Sequence, residues 1–310
     1  MSLSRRDFLK ASLAASTFFG LGAGRALAGA PAEAARIKRI VSVVRGTKVD
    51  KMLASAMQPF GGMRRFVRTG MQVAIKTNAS FANAPEWGNN TNPELLTAVA
   101  KACREAGARR VLVLDYPLMR GAEALDMNGT AAAVAKLKGV ELRVLGAEHE
   151  FRKVKVPGGE ALHEVAIARE VLDCDLLINL PVAKAHDAVA ASIGMKNLMG
   201  IIWDRAVFHT GMEIDRGIAD LNRVLRPGLT IVDMTRIMVS NGPKGPGEVV
   251  TPEKLVVGID PVAVDSVALG QARFNGRRFR PKQLRYLLHA HKAGLGEIRL
   301  GELDIRKLDA

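Results

Sequence analysis

Residues 92–115 read NPELLTAVAKACREAGARRVLVLD, and this stretch decides the fold. Asn92 suits a helix N-cap, Pro93 occupies the first turn where no N–H is needed, and Glu94 meets the positive end of the helix dipole. The helix opened in this way runs to about Ala106 and stops at Gly107. Residues 110–114 follow as a strand whose positions 111–114 are consecutively apolar, the pattern of a strand buried on both faces, and Asp115 comes directly after them. A capped helix feeding a doubly buried strand is half of a parallel crossover unit.

The same alternation extends outward in both directions. Residues 36–45, 72–76, 141–145, 175–180, 229–232 and 255–259 read as strands. Residues 49–57, 131–137, 164–172, 211–225, 261–272 and 281–293 read as helices. The expected class is α/β, a mostly parallel sheet with helices on both faces, three-layer and sandwich-like. Two connections are long and irregular, residues 77–91 and 240–251, and long loops in compact domains are often functional. The second contains Gly242-Pro243-Lys244-Gly245-Pro246-Gly247, where prolines remove the N–H groups that a phosphate-binding loop needs, so it reads as structural.

The N-terminus carries an address. Ser4-Arg5-Arg6-Asp7-Phe8-Leu9-Lys10 followed by the apolar, small-residue stretch 11–24 has the form of a twin-arginine export signal. Ala26-Leu27-Ala28 offers an A-x-A cleavage site. The expectation is a signal peptide over residues 1–28 and a single α/β domain over residues 29–310, folded before passage through the twin-arginine translocase into the periplasm. An uncleaved N-terminal anchor is the alternative. No other segment is long and apolar enough to span a bilayer, so the cleaved chain is expected not to be transmembrane.

The 310 residues carry a formal charge of +14; residues 1–28 hold four basic and one acidic side chain, so their removal leaves +11. Such a surface attracts small anions, polyanions or anionic lipid, and the run Arg277-Arg278-Phe279-Arg280 with Lys282 and Arg285 is its densest part. Nucleic acid is not expected as a partner, because an exported chain with 5% aromatics has little with which to stack bases. Cys103 and Cys174 are the two cysteines and neither lies in a C-x-x-C, so no iron–sulfur cluster is expected from the chain's own cysteines.

Chemistry-bearing residues recur where predicted strands end. Lys76 and Asn78 follow residues 72–75, Asp115 follows 111–114, Asn179 ends 176–178 with Lys184 and His186 just beyond, Asp233 follows 231–232, and Asp260 follows 256–259. In open parallel sheets ligands bind outside the carboxyl ends of the strands, so parallel strands would bring all these groups to one edge. Lys76, Lys184, Lys196 and His186 suit an anion, while Asp115, Asp233, Asp260 and Asp265 suit a cation or a base. Each has a bland alternative: Asp260-Pro261 is a good helix cap, and an aspartate after a strand can simply turn the chain. The sequence lacks G-x-G-x-x-G after a strand, G-x-x-x-x-G-K-S/T, H-E-x-x-H and G-x-S-x-G, which removes the signatures of the common nucleotide-binding and hydrolase classes.

The combination Ile75-Lys76-Thr77-Asn78, Asp115, Asp175 through His186, Met195-Lys196-Asn197-Leu198-Met199-Gly200, Ile218-Ala219-Asp220-Leu221 and Asp260-Pro261-Val262-Ala263-Val264-Asp265 resembles the family known as domain of unknown function 362, from about residue 72 to 296. The resemblance implies one α/β domain whose Lys, His and Asn elements share a site. Many relatives also carry a ferredoxin-like cysteine segment, which this chain lacks, so an electron-transfer role does not carry over.

Two functions are consistent with the sequence. The first is an exported protein that binds or transforms a small anionic ligand, with Lys184, His186 and Asp265 as the catalytic candidates. Lys76, Asn78, Asp115, Asn179, Lys196, Asn197 and His209 would then bind the ligand. The second is a non-catalytic periplasmic binding or assembly partner of a redox system containing iron–sulfur protein. The sequence names neither a metal nor an organic cofactor.

Overall fold

Short runs of Val, Ile and Leu build the centre of the protein, as expected for strands that must bury both faces. The computed structural model describes residues 36–310, and the expected export signal with its cleavage site lies outside the described residues. The strands are β1 (Ile40–Arg45), β2 (Gln72–Lys76), β3 (Arg110–Asp115), β4 (Val140–Val144), β5 (Phe151–Lys155), β6 (Glu164–Ala168), β7 (Leu176–Asn179), β8 (Lys184–His186), β9 (Ala190–Ser192), β10 (Leu229–Met234), β11 (Ile237–Met238), β12 (Val249–Val250), β13 (Lys254–Gly258) and β14 (Asp304–Asp309). The helices are α1 (Val49–Met57), α2 (Pro93–Glu105), α3 (Ala122–Met127), α4 (Thr130–Ala135), α5 (Arg169–Asp173), α6 (Gly194–Asn197), α7 (Val207–Thr210), α8 (Ile214–Val224), α9 (Pro261–Leu269) and α10 (Arg285–Lys292).

Eight strands form the main sheet in the order β14-β1-β13-β10-β7-β2-β3-β4. All neighbours are parallel except β13, which runs antiparallel to both β1 and β10. Helices cover the sheet on both faces: α1 packs on β1 and β13, while α9 packs on β13 and β10. Along β1, Val41 and Val43 join the hydrophobic cluster that includes α8, α9 and α10, and the residues between them point to the other face. Lys38–Ala310 forms one compact unit. Among the described residues no helix is long and apolar enough to cross a membrane.

Helix α2 begins as its sequence dictates, with the Asn92 side chain accepting from Glu94 N at 2.9 Å and Pro93 in the first turn. Several short elements go unread in the sequence, and three larger differences bear on the architecture. Residues 164–168 form β6, not a helix, because Val165 and Ile167 alternate with outward residues and pair with β5. The C-terminal strand β14, unread from sequence, lies parallel to β1. Strand β13 is antiparallel, so Asp260 leaves the sheet at the edge opposite Lys76 and Asp115. There it caps α9 through Ala263 N (2.9 Å) and fastens Glu297 N (2.8 Å).

The two irregular loops meet each other. Asn89 Nδ2 donates to Pro243 O and Asn83 Nδ2 to Lys244 O, each at 3.1 Å. Gly242 permits close approach to β8, since a Cβ there would lie 2.0 Å from Ala185 O.

Asp220 of α8 ties the chain before β6 to the helical face. Its Oδ2 accepts from Glu160 N (2.8 Å), Ala161 N (2.7 Å) and Leu162 N (3.1 Å), and Oδ1 meets Arg223 Nε at 3.0 Å. Removing this buried carboxylate leaves three amides without a partner. Asp220→Ala should therefore lower the unfolding free energy by about 2–3 kcal/mol in denaturant titrations, and an unchanged midpoint would contradict the anchoring role.

Candidate functional site

The carboxyl ends of β2, β3 and β7 converge at one edge, and each ends in a polar residue. Lys76 closes β2 and Asp115 closes β3; their Nζ and Oδ1 lie 3.0 Å apart with both side chains fully buried. The pair is saturated. Lys76 Nζ also donates to Thr77 O and to Asn197 Oδ1 (3.3 Å), while Asp115 accepts from Ala79 N (2.6 Å) and Tyr116 N (2.8 Å). Burial lowers the Lys76 pKa and the Asp115 charge opposes that shift. Gly200 is required above the pair, because a Cβ there would come within 2.5 Å of Asp115 and 2.7 Å of Lys76.

Beside this pair runs a chain of side-chain amides, all pointing the same way. Lys184 Nζ donates to Asn78 Oδ1 (2.7 Å), Asn78 Nδ2 to Asn197 Oδ1 (2.7 Å), Asn197 Nδ2 to Asn179 Oδ1 (2.8 Å), and Asn179 Nδ2 to Gly194 O (2.8 Å). An ammonium can only donate and a carbonyl can only accept, so the two ends set every amide orientation between them. Asp265 completes the arrangement from α9. Its carboxylate accepts from Gly194 N and Met195 N, each at 2.9 Å, and burial pushes its pKa up to about 7.

A cavity of about 370 Å³ opens against this network. Asn78, Lys184, His186, Lys196, Asn197 and His209 line it, as do Arg205 and an aromatic wall containing Tyr116 and Trp203. Tyr116 and Trp203 stack with ring centroids 5.7 Å apart, and the Arg205 guanidinium lies 4.1 Å from the Tyr116 centroid. Arg205 also donates to Tyr116 O at 2.6 Å and Pro117 O at 3.3 Å. Asp204 is the carboxylate among the lining residues, and it is exposed.

The cavity cations differ in how they are held. Lys184 Nζ also donates to Asn89 O at 2.6 Å and sits 4.8 Å from the Phe81 centroid. Burial, then the charge of Lys196, depresses its pKa well below the usual lysine value. Burial also lowers Lys196, to about 8, with Asp187 opposing. His186 Nδ1 accepts from Ala188 N at 3.1 Å, which places the ring proton on Nε2. Burial and the nearby lysine charges push the His186 pKa down to about 2, so the ring is neutral. Asp187 Oδ1 lies 2.9 Å from Nδ1 and accepts from Ala188 N at 2.7 Å.

Of the ten candidates read from the sequence, six line the cavity, and Lys76, Asp115 and Asn179 form the layer beneath it. Asp265, proposed from sequence as a catalytic base, sits away from the cavity wall and has both oxygens engaged by amides. Asp233 likewise turns inward, accepting from Asn92 N (2.7 Å) and from Thr235 N (2.9 Å) and Oγ1 (2.7 Å). Sequence reasoning missed Arg205, Tyr116 and Trp203, although Trp203 is one of two tryptophans in the chain and stands two residues from Arg205. Among the described residues no group of three or more His, Cys, Asp or Glu side chains is placed to hold a metal ion. Cys103 and Cys174 are buried, and burial pushes the Cys103 thiol up to about 12.

The chain is similar to known proteins. A thylakoid-associated protein of Synechocystis sp. is 29% identical over 199 residues, which is 62% of this chain and 60% of that protein. The chain thus spans about three fifths of the length of this curated relative. Among solved structures, the lactate racemase apoprotein of Thermoanaerobacterium thermosaccharolyticum superposes with a TM-score of 0.44 at 14% identity, covering 76% of this chain and 58% of that one. The family described as domain of unknown function (DUF362) matches residues 73–270, more than half of the chain and all of the network from Lys76 to Asp265, so the protein belongs to that family.

Proposed function

We propose that the cavity binds a small anionic molecule, a carboxylate or a phosphate, that reaches it outside the cytoplasm. The observation that carries this is the separation of charge. The buried aspartates at this edge are engaged with amides or with Lys76, whereas Lys184, Lys196 and Arg205 face the cavity and, among the described residues, have no carboxylate hydrogen-bonded to them. A desolvated site lined by cations and hydrogen-bond donors favours an anion, since charge-assisted hydrogen bonds are about twice as strong as neutral ones. Lys184 and Arg205 would engage the acid group, and the neutral His186 would donate from Nε2. The stacked Tyr116 and Trp203 would exclude water from the remainder of the ligand. Lys76 and Asn179 act by positioning, through Asn197.

Isothermal calorimetry with inorganic phosphate and with pyruvate as probes tests this. Lys184→Ala and Arg205→Ala should each weaken binding of the preferred probe about 10- to 100-fold while the protein remains folded. Unchanged affinity in both variants would refute the site. Affinity should also fall as pH rises through about 8, because Lys196 loses its proton there among Asp187, Asp215, Arg205, Lys184 and the two histidines. A pH-independent affinity between 7 and 9 would contradict that charge state.

The export route is part of the same proposal and rests on Arg5-Arg6 and the stretch that follows. Replacing both arginines by lysine should retain the protein in the cytoplasmic fraction with residues 1–28 intact. An unaltered periplasmic fraction would contradict twin-arginine export.

A further inference from the structure

Lys196 stands apart from the other cations around the cavity. Lys76 has Asp115 and two oxygen acceptors, Lys184 has Asn78 and Asn89 O, and Arg205 has two backbone carbonyls. Among the described residues, the one hydrogen-bond contact of Lys196 Nζ is Met199 Sδ at 3.6 Å, a weak acceptor. The residue is 8% exposed and lines the cavity.

Its backbone is held firmly from several directions. In α6, Gly194 N and Met195 N donate to Asp265, Gly194 O accepts from Asn179 Nδ2, and Met195 O accepts from Asn222 Nδ2 at 3.1 Å. Three buried side chains from three different elements therefore fix the base of a lysine whose amine has no oxygen partner among the described residues. Such an arrangement suits an amine that reacts, because holding the nucleophile in place removes much of the entropic barrier.

We propose that Lys196 is the nucleophile of the cavity and forms an imine with a small aldehyde or ketone that also bears a carboxylate or phosphate. The proposal rests on the anion-binding reading, with Lys184 and Arg205 holding the acid group. In the step, the lone pair of neutral Nζ forms the C–N bond while the carbonyl π pair moves to oxygen. The two protons of Nζ pass to that oxygen, which leaves as water, and no oxidant or reductant is needed. The depressed pKa of about 8 makes the neutral amine available near physiological pH.

Glyoxylate with cyanoborohydride tests this, since reduction fixes the imine as a carboxymethyl group that peptide mapping can place. Wild-type protein should take up one such group at Lys196, about tenfold faster than exposed lysines. Lys196→Arg should lose it, and Lys153→Arg, at an exposed lysine outside the cavity, should keep it. Labelling spread over exposed lysines, or centred on Lys184, with phosphate binding intact, would overturn the imine proposal alone. Absence of phosphate binding by the wild-type protein would overturn the anion-binding reading beneath it as well. The mapping uses wild-type protein and so does not depend on the stability of any variant.

Discussion

The chain of hydrogen bonds from Lys184 through Asn78, Asn197 and Asn179 to the Gly194 carbonyl holds the site together. It links the β8 strand, the loop after β2, the end of β7 and the short helix α6, which are otherwise separate pieces of chain. Its polarity is set at both ends, so no amide in it can flip without stranding a donor against a donor. Truncating any one of these asparagines would leave buried groups unpaired at about 1–3 kcal/mol each. The adjoining Lys76–Asp115 pair shares Asn197 with this chain, and so the ion pair and the amides hold one another in register.

This network also explains the sign of the cavity. Buried carboxylates are costly unless hydrogen-bonded, and Asp115, Asp233 and Asp265 all take backbone amides. Those amides belong to loops and to α6, so the carboxylates shape the backbone around the site and leave cationic ends facing inward. Lys184, Lys196 and Arg205 approach one another without carboxylate partners, and their mutual repulsion contributes to the lowered pKa values of the two lysines. A bound anion would relieve that repulsion, which is the physical sense in which the site is poised for one.

The core of the fold was legible in the sequence because consecutive Val, Ile and Leu residues mark doubly buried strands and the Asn92-Pro93-Glu94 start marks α2. The direction of β13 was not legible, since strand orientation depends on how the connections run and not on strand composition. That one reversal moved Asp260 to the opposite edge. Strand β6 was misread because a five-residue segment running directly into the α5 turn carries too little period to separate strand from helix. Lys184 and His186 could be picked out by their position after a strand, and Lys196 by the stretch Met195–Gly200 that carries the family resemblance. The inward role of Asp265 could not, because it depends on amides of α6, 70 residues away in sequence. Arg205 and Trp203 follow no strand read from the sequence and carry no spacing signature, and Tyr116, although it stands directly after β3, has no neighbour in sequence that marks a site, so only the folded arrangement brings them to the cavity wall.

The most direct measurement is a crystal structure of the protein grown with pyruvate or phosphate. The account predicts density for an anion inside the cavity, with its oxygens in hydrogen-bond reach of Lys184 Nζ and the Arg205 guanidinium, and with the amide chain unchanged beneath it. An empty cavity with the anion bound instead at the exposed Arg277–Arg285 surface would contradict it.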